Sequence, residues 1–198
     1  MADLVVIAGD AGDDREARRL IPEVIDLAER LRIPTILSVA YDSAGLALAQ
    51  LGAHQEARVM FERGLVHANA GGPITAVSHR VHHALIVDDP NDAARIIGPV
   101  FRTVREQLTG FYLSEPVLVA AKIAAKSGRE RVAAKLLGAA HLPTWAGAYV
   151  GVSEFERLVS QVRTLLGDST FEHESQLGAQ LSTDDALQLA EEVVAASG

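Results

Sequence analysis

The sequence predicts an all-α protein, an α-α superhelix of stacked helical hairpins that a C-terminal hairpin closes. A pattern of alanine, a cation, any residue and an aliphatic residue occurs four times, at a spacing typical of helical hairpins. Apolar residues between these matches recur at three- and four-residue steps, which is the periodicity of one helix face. The four matches begin at Ala17, Ala57, Ala94 and Ala134.

The repeats predict where the chain divides. We expect residues 1–149 to form about four helix pairs, the first of them truncated, and residues 150–198 to form a C-terminal helical capping segment. Each alanine match follows a short polar or glycine-containing turn, so we expect each pair to consist of two helices joined by that turn. Residues 2–8 indicate the remainder of a first helix whose earlier part is missing.

The second helix pair shows its faces most clearly. Because alanine is small, Ala57 at the crossing lets the two helix backbones approach to about 8–10 Å. The predicted apolar stripe of the first helix consists of Leu37, Tyr41, Ala44, Leu48 and Leu51, and that of the second of Ala57, Phe61, Leu65 and Ala68.

Two prolines occupy the same repeat position, since Pro22 and Pro99 each stand five residues after a repeat alanine. A proline inside a helix removes one backbone hydrogen bond and kinks the helix. The alternative is a helix that begins at the proline, where the missing N–H is tolerated. The apolar spacing continues across Pro99, so we expect helices that run across both prolines, with kinks near Ile21-Pro22 and Gly98-Pro99.

The end of the chain predicts its own helix. Ser182 and Asp185 form a capping box, which is typical of a helix start, and predict a helix over residues 184–196. A terminal repeat needs a polar outer face, and acidic residues supply one here. We interpret this helix as a cap of the array, with a docking helix as the alternative.

Composition excludes several function classes. The 198 residues are 48% hydrophobic and 22% charged, which is typical of a globular protein. There is no cysteine, so disulfides, thiolate nucleophiles and thiolate metal sites are excluded. The formal net charge of -8 opposes direct nucleic-acid binding. No apolar run suits a membrane span, and the start lacks a basic region before its apolar stretch, so we expect a cytoplasmic protein with no membrane contact.

Candidate chemistry rests on three histidines. His79, His82 and His83 have the i, i+3, i+4 spacing that can hold a metal ion on one helix face. They are weak metal candidates, because the sequence assigns no further ligand, and ordinary helix histidines are the preferred interpretation. No serine or aspartate stands in a recognisable nucleophile or triad context. We therefore expect no enzyme activity, no catalytic residue, no cofactor and no bound metal.

Two stretches carry resemblances. Residues 51–65 resemble a tetratricopeptide repeat, with Gly64 where that family usually has alanine. A second resemblance rests on residues 136–141, 155–156, 163–167, 171 and 178–186. In these residues the C-terminal third is similar to the end of the helical-repeat region of bacterial LuxR-type and adenylate-cyclase-linked regulators that contain STAND ATPases. Ser153 and Ser175 stand where that family has a proline-type turn and a tryptophan.

The second resemblance implies a module downstream of a nucleotide-binding switch. Such a module recognises a partner or an inducer and holds the switch off. The chain itself contains no phosphate-binding loop of the Gly-x-x-x-x-Gly-Lys-Ser/Thr type. The sequence leaves open whether the chain is part of a larger regulator or stands alone.

Two hypotheses about function follow. The leading one is a scaffold on which the first helices of the pairs form a concave surface for a protein or peptide, including another domain of the same regulator. The alternative is a sensor that admits a small apolar or amphipathic inducer between helices. The identity of the partner and the oligomeric state stay open. The candidate contact residues are Tyr41, Tyr112, Trp145 and Tyr149.

Overall fold

The computed structural model describes residues 1–107, 114–140 and 150–198, with the backbone alone for residues 107 and 150–154. These ranges contain eleven α-helices and no strand, which confirms the all-α prediction. Within the same ranges, no helix combines the length and the apolar character that crossing a membrane requires. The chain forms two compact units, residues 1–86 and residues 87–198.

The first unit contains five helices. In it α3 packs against every other helix, and α4 also packs against α5. A Cβ atom added to Gly9 would lie 2.6 Å from the Cα of Ala47, so α1 and α3 touch backbone to backbone near their C-terminal ends. The helices are α1 (Ala2–Asp10), α2 (Asp14–Leu31), α3 (Pro34–Gln50), α4 (His54–Gly71) and α5 (Pro73–Ile86).

The described residues of the second unit form six helices. Within it α7 packs against α6, α8 and α11, and α8 packs against α9 and α10. The proposed capping segment, residues 150–198, supplies α9 to α11 and lies in the same compact unit as α6 to α8. The helices are α6 (Pro90–Gln107), α7 (Ser114–Lys126), α8 (Glu130–Ala139), α9 (Val150–Leu166), α10 (Asp168–Ala179) and α11 (Thr183–Ala195).

The repeat pattern marks the start of four helices. The repeat alanines lie in the first two turns of α2, α4, α6 and α8, and none has more than 2% of its surface exposed. The turns before three of these helices contain a glycine with positive φ, a conformation that costs other residues energy. These glycines are Gly12 (φ 69°), Gly52 (φ 77°) and Gly128 (φ 72°).

Both repeat-position prolines lie inside helices. Pro22 is within α2 and Pro99 is within α6. The prediction of helices that run across the prolines is confirmed, and the alternative, in which each helix starts at its proline, is wrong. The apolar contacts on both sides of Pro99 explain this: Ile97, Val100 and Phe101 are all buried, so packing compensates for the lost hydrogen bond.

The predicted apolar stripe of α3 is too narrow. Tyr41, Ala44 and Leu48 are buried as expected, but Ser38, Ala40 and residues 45–47 are buried as well. The physical reason is that α3 is covered by four other helices, whereas a stripe prediction assumes one covered face. On α4, Gly64 is buried and Leu65 is only partly covered.

The last helix begins as the capping box predicts. Ser182 is the N-cap of α11, and its hydroxyl accepts a hydrogen bond from the backbone N–H of Asp185 at 3.2 Å. The apolar face of α11 is buried at Ala186, Leu187, Ala190, Val193 and Val194, while Leu189 is only partly covered. The outer positions Asp184, Asp185, Gln188 and Glu192 are exposed.

Candidate functional site

The three histidines singled out from the sequence lie on α5 and are all buried. His79 is 1% exposed, and His82 and His83 are 7% and 6% exposed. The helix is covered by α3 and α4, and these two helices supply the groups that the imidazole rings contact. Buried imidazole nitrogens need hydrogen-bond partners, because burial removes the water that would otherwise bond to them.

His79 is held by the backbone of α4. Its Nε2 donates a hydrogen bond to the carbonyl oxygen of Phe61 at 2.6 Å, and its ring meets the Phe61 ring edge to face at 5.6 Å. A Cβ atom at Gly64 would collide with Cε1 of His79 and would lie 2.8 Å from Cβ of Tyr41. The glycine that departs from the tetratricopeptide pattern is therefore the residue that makes room for the His79 ring.

His82 and His79 approach one carboxylate on α3. Nδ1 of His82 lies 2.7 Å from Oδ2 of Asp42, and Nδ1 of His79 lies 3.4 Å from Oδ1. The Asp42 side chain is 17% exposed, so this carboxylate is itself largely covered. His83 faces elsewhere and stacks on Phe61 at 5.3 Å with an angle of 10° between the rings.

His79 and His82 share Asp42, whereas His83 stacks on Phe61. A metal site needs several ligand atoms to converge on one point. In the described ranges, no group of three or more histidine, aspartate or glutamate side chains is placed to hold a metal ion. The cluster is better described as a buried acid-histidine network.

Burial lowers the pKa of His79 below its ordinary value, and the charges of His82 and Arg80 act in the same direction. The charge of Asp42 and the hydrogen bond to Phe61 oppose this shift without cancelling it. The desolvated imidazole is therefore neutral at pH 7. The pKa of the Arg80 guanidinium is also lowered by burial.

A pocket opens above this network, between α3 and α5. It has a volume of about 190 Å³. The lining residues of α3 are spaced i, i+3, i+4 and i+7, which places them on one helix face. The pocket walls carry four hydroxyl groups and two aliphatic side chains, and Asp42 and His79 contribute to the lining. The lining residues are Thr35, Ser38, Val39, Asp42, Ile74, Thr75, Ser78 and His79.

The candidate aromatic contact residues are only partly described. Tyr41 is 7% exposed and stacks on His67 with the ring centres 5.8 Å apart, so it packs between α3 and α4. Tyr112, Trp145 and Tyr149 lie outside the described residues.

Asp42 was missed by sequence reasoning, although a signal for it exists. Asp42 precedes His79 by 37 residues, the spacing between the repeat alanines Ala57 and Ala94. The two residues therefore occupy the same repeat position on the first helices of neighbouring pairs. A search for polar residues at equivalent repeat positions would have paired them.

The fold and the site define a class: an all-α protein of packed helical hairpins with a buried acid-histidine network beneath a small pocket. Comparisons with protein-family models, with characterised proteins and with solved structures find no match.

Proposed function

We propose that this chain is a non-catalytic protein-interaction module that binds a protein or peptide segment across the α3–α5 surface. The observation that carries the proposal is the distribution of exposed apolar side chains. Of the large exposed apolar side chains in the described ranges, most lie in the first unit. They lie on all five helices of that unit, but Val39 and Ile74 border one pocket, and apolar side chains grouped in this way are characteristic of interaction surfaces.

The α3–α5 surface combines apolar and polar contacts. Ile36, Val39 and Ile74 are 38%, 46% and 49% exposed. Val39 and Ile74 also line the pocket, so the exposed aliphatic groups adjoin the carboxylate of Asp42. An apolar rim around a few polar groups suits a partner that inserts one side chain and lays others against the surface.

The resemblance of the C-terminal third indicates the kind of protein in which this module acts. We infer a regulatory module of a bacterial signalling ATPase of the STAND type, acting in the cytoplasm. The partner in this setting is another domain of the same regulator or a separate protein. Stacking of the hairpins into a superhelix, which would extend the surface formed by the first helices, belongs to the same proposal.

Site-specific photocrosslinking tests the surface. A photoreactive amino acid is placed at Ile36, Val39 or Ile74, and in matched controls at Val59 or Val66, which are exposed on α4 and do not line the pocket. We expect the first three positions to yield adducts of one discrete mass in the native host and the controls to yield none. Equal adducts from both sets, or none from either, would contradict the assignment of the surface.

The pocket itself favours a second candidate, the small-molecule sensor. A cavity of about 190 Å³ is smaller than the several hundred Å³ typical of drug-sized ligand sites. It suits a small inducer with few atoms. A variant outside the pocket distinguishes the two functions: Ile36 is exposed and does not line the pocket, so a sensor retains small-ligand binding in Ile36→Asp while protein capture is lost.

A further inference from the structure

One feature of the pocket floor has unusual chemistry: two hydrogen-bond acceptors face each other. The carbonyl oxygen of Phe61 can only accept, so Nε2 of His79 carries the ring proton. In a neutral imidazole the other nitrogen, Nδ1, is then an acceptor. It lies 3.4 Å from Oδ1 of Asp42, and neither atom has a hydrogen-bond partner in the described part of the chain.

The network holds this arrangement from both sides. His82 contacts the other carboxylate oxygen of Asp42 at 2.7 Å, and Gly64 lets the His79 ring pack closely against α4. Two buried acceptors without a donor are costly, and a donor that reaches both removes that cost. Acceptors 3.4 Å apart are close enough for one nitrogen atom to donate to both.

We propose that this pocket binds a protonated primary amine on a short aliphatic chain, with Asp42 and His79 as the acceptors of its N–H groups. A carboxylate prefers a cationic donor to a neutral one, because charge-assisted hydrogen bonds are stronger. The hydroxyl groups of Ser38 and Ser78 line the same pocket and can accept the remaining N–H.

The pocket dimensions set the length of the ligand. Cavities of roughly 150 Å³ hold a benzene-sized molecule, so about 190 Å³ accommodates a chain of roughly four to six carbons. Val39 and Ile74 provide the apolar wall for that chain. Two sources share this chemistry, a free alkylamine and the side chain of a lysine in a partner protein.

Access to the two acceptors requires a small movement. Oδ1 of Asp42 and Nδ1 of His79 lie under the pocket floor, while part of the Asp42 side chain is exposed. The terminal torsion of aspartate is broad, so the carboxylate plane turns toward an incoming amine at little cost. Arg80, whose charge also acts on His79, is not among the pocket-lining residues described.

Calorimetry and histidine ¹⁵N NMR test the proposal on the full chain. The probes are n-butylamine, the neutral n-butanol of matched size, and a short lysine-containing peptide with an N-acetylated terminus. We expect n-butylamine to bind and to shift the Nδ1 resonance of His79 toward the hydrogen-bonded position, while n-butanol binds at least roughly tenfold more weakly. Binding of the peptide alone would identify a partner lysine as the source and would equally support the amine site.

Variants separate recognition from folding. Asp42→Asn should weaken amine binding by roughly tenfold or more, and Ser78→Leu should block the pocket while it leaves the carboxylate in place. Asp10→Asn removes the same charge outside the pocket and should bind like the parent. Equal binding by Asp42→Asn and the parent, measurable binding of n-butanol as tight as that of n-butylamine, or no binding of either n-butylamine or the peptide would overturn the proposal.

The ligand-free spectrum provides an independent test. If both nitrogens of His79 are protonated at neutral pH, the ring donates its own proton to Asp42, and the acceptor pair on which the site depends does not exist. That result would also overturn the proposal. The outcome is separate from the crosslinking experiment, because amine binding depends on the pocket floor and not on finding a protein partner.

Discussion

Gly178, on α10, is a position where one added methyl group tests the packing of the second unit. A Cβ atom there would lie 2.7 Å from the carbonyl carbon of Lys135 and 3.0 Å from its Cα, and would collide with the carbonyl oxygen. Non-bonded carbon atoms pack at about 3.5–4.0 Å. The colliding atoms belong to the backbone of α8, so no side-chain rotation relieves the overlap. In Gly178→Ala the two helices must separate by roughly 1 Å.

Two opposing effects determine the size of the change. Replacing glycine by alanine inside a helix stabilises it by about 0.5–1 kcal/mol. Overpacking a close contact costs about 1–3 kcal/mol, and here it also loosens the contacts between α8 and α10. We expect the overlap to dominate and to lower the free energy of unfolding by about 1–2 kcal/mol. Urea denaturation followed by circular dichroism measures this difference.

A matched control and a reciprocal variant sharpen the test. Gln176→Ala changes an exposed residue of the same helix and should alter stability by less than about 0.5 kcal/mol. A Cβ atom added to Gly138, on α8, would lie 2.7 Å from the carbonyl carbon of Ser175. Gly138→Ala should therefore lower the free energy of unfolding by about as much as Gly178→Ala. The double variant Gly138→Ala/Gly178→Ala should lose less free energy of unfolding than the sum of the two single variants, because the first substitution already separates α8 from α10. A Gly178→Ala protein as stable as the parent, as helix propensity alone predicts, would refute this reasoning.

Three further predictions follow from the packing and the network. Ala57→Leu should overpack a fully buried position and cost about 1–3 kcal/mol, while the exposed Arg58→Ala should cost little; equal thermal melts would contradict the repeat assignment. Because the pKa of His79 is lowered from 6.5, the unfolded state binds more protons below that pH. Unfolding free energy should therefore fall as pH decreases below about 6.5, with a smaller slope in His79→Gln but not in the exposed His54→Gln; identical slopes would exclude His79 as the cause. A fragment of residues 1–149 should bind the apolar dye ANS more strongly than the full chain, since Leu136 and Leu137 lose the cover of α10; unchanged dye binding would show that the removed segment is dispensable.

The helices could be predicted because their signals are local. The repeat alanines, the turn glycines and the capping serine act within one turn of the chain, where spacing alone decides the interaction. Ser182 caps α11 as its distance from Asp185 predicts. The helix that contains Pro99 could be predicted because apolar residues continue at helical spacing on both sides of the proline.

The site could be predicted only in part. The spacing of His79, His82 and His83 drew attention to α5, but spacing on one helix cannot reveal which groups on other helices complete a network. Whether the three imidazoles bind a metal ion or pack in the core depends on their neighbours, including Asp42 and Phe61. These two residues precede His79 by 37 and 18 residues in the sequence. Those positions depend on how α3 and α4 pack against α5.

What the sequence by itself determined about this protein is the all-α class, the start of each repeat helix and the capped last helix, because short-range backbone geometry and periodicity specify them. Only the tertiary structure decided that Gly64 makes room for His79, that Asp42 joins two histidines and that Gly138 and Gly178 let two helices touch. The physical reason is that close packing and desolvation act between groups distant in sequence, and their outcome depends on distances of a few tenths of an ångström.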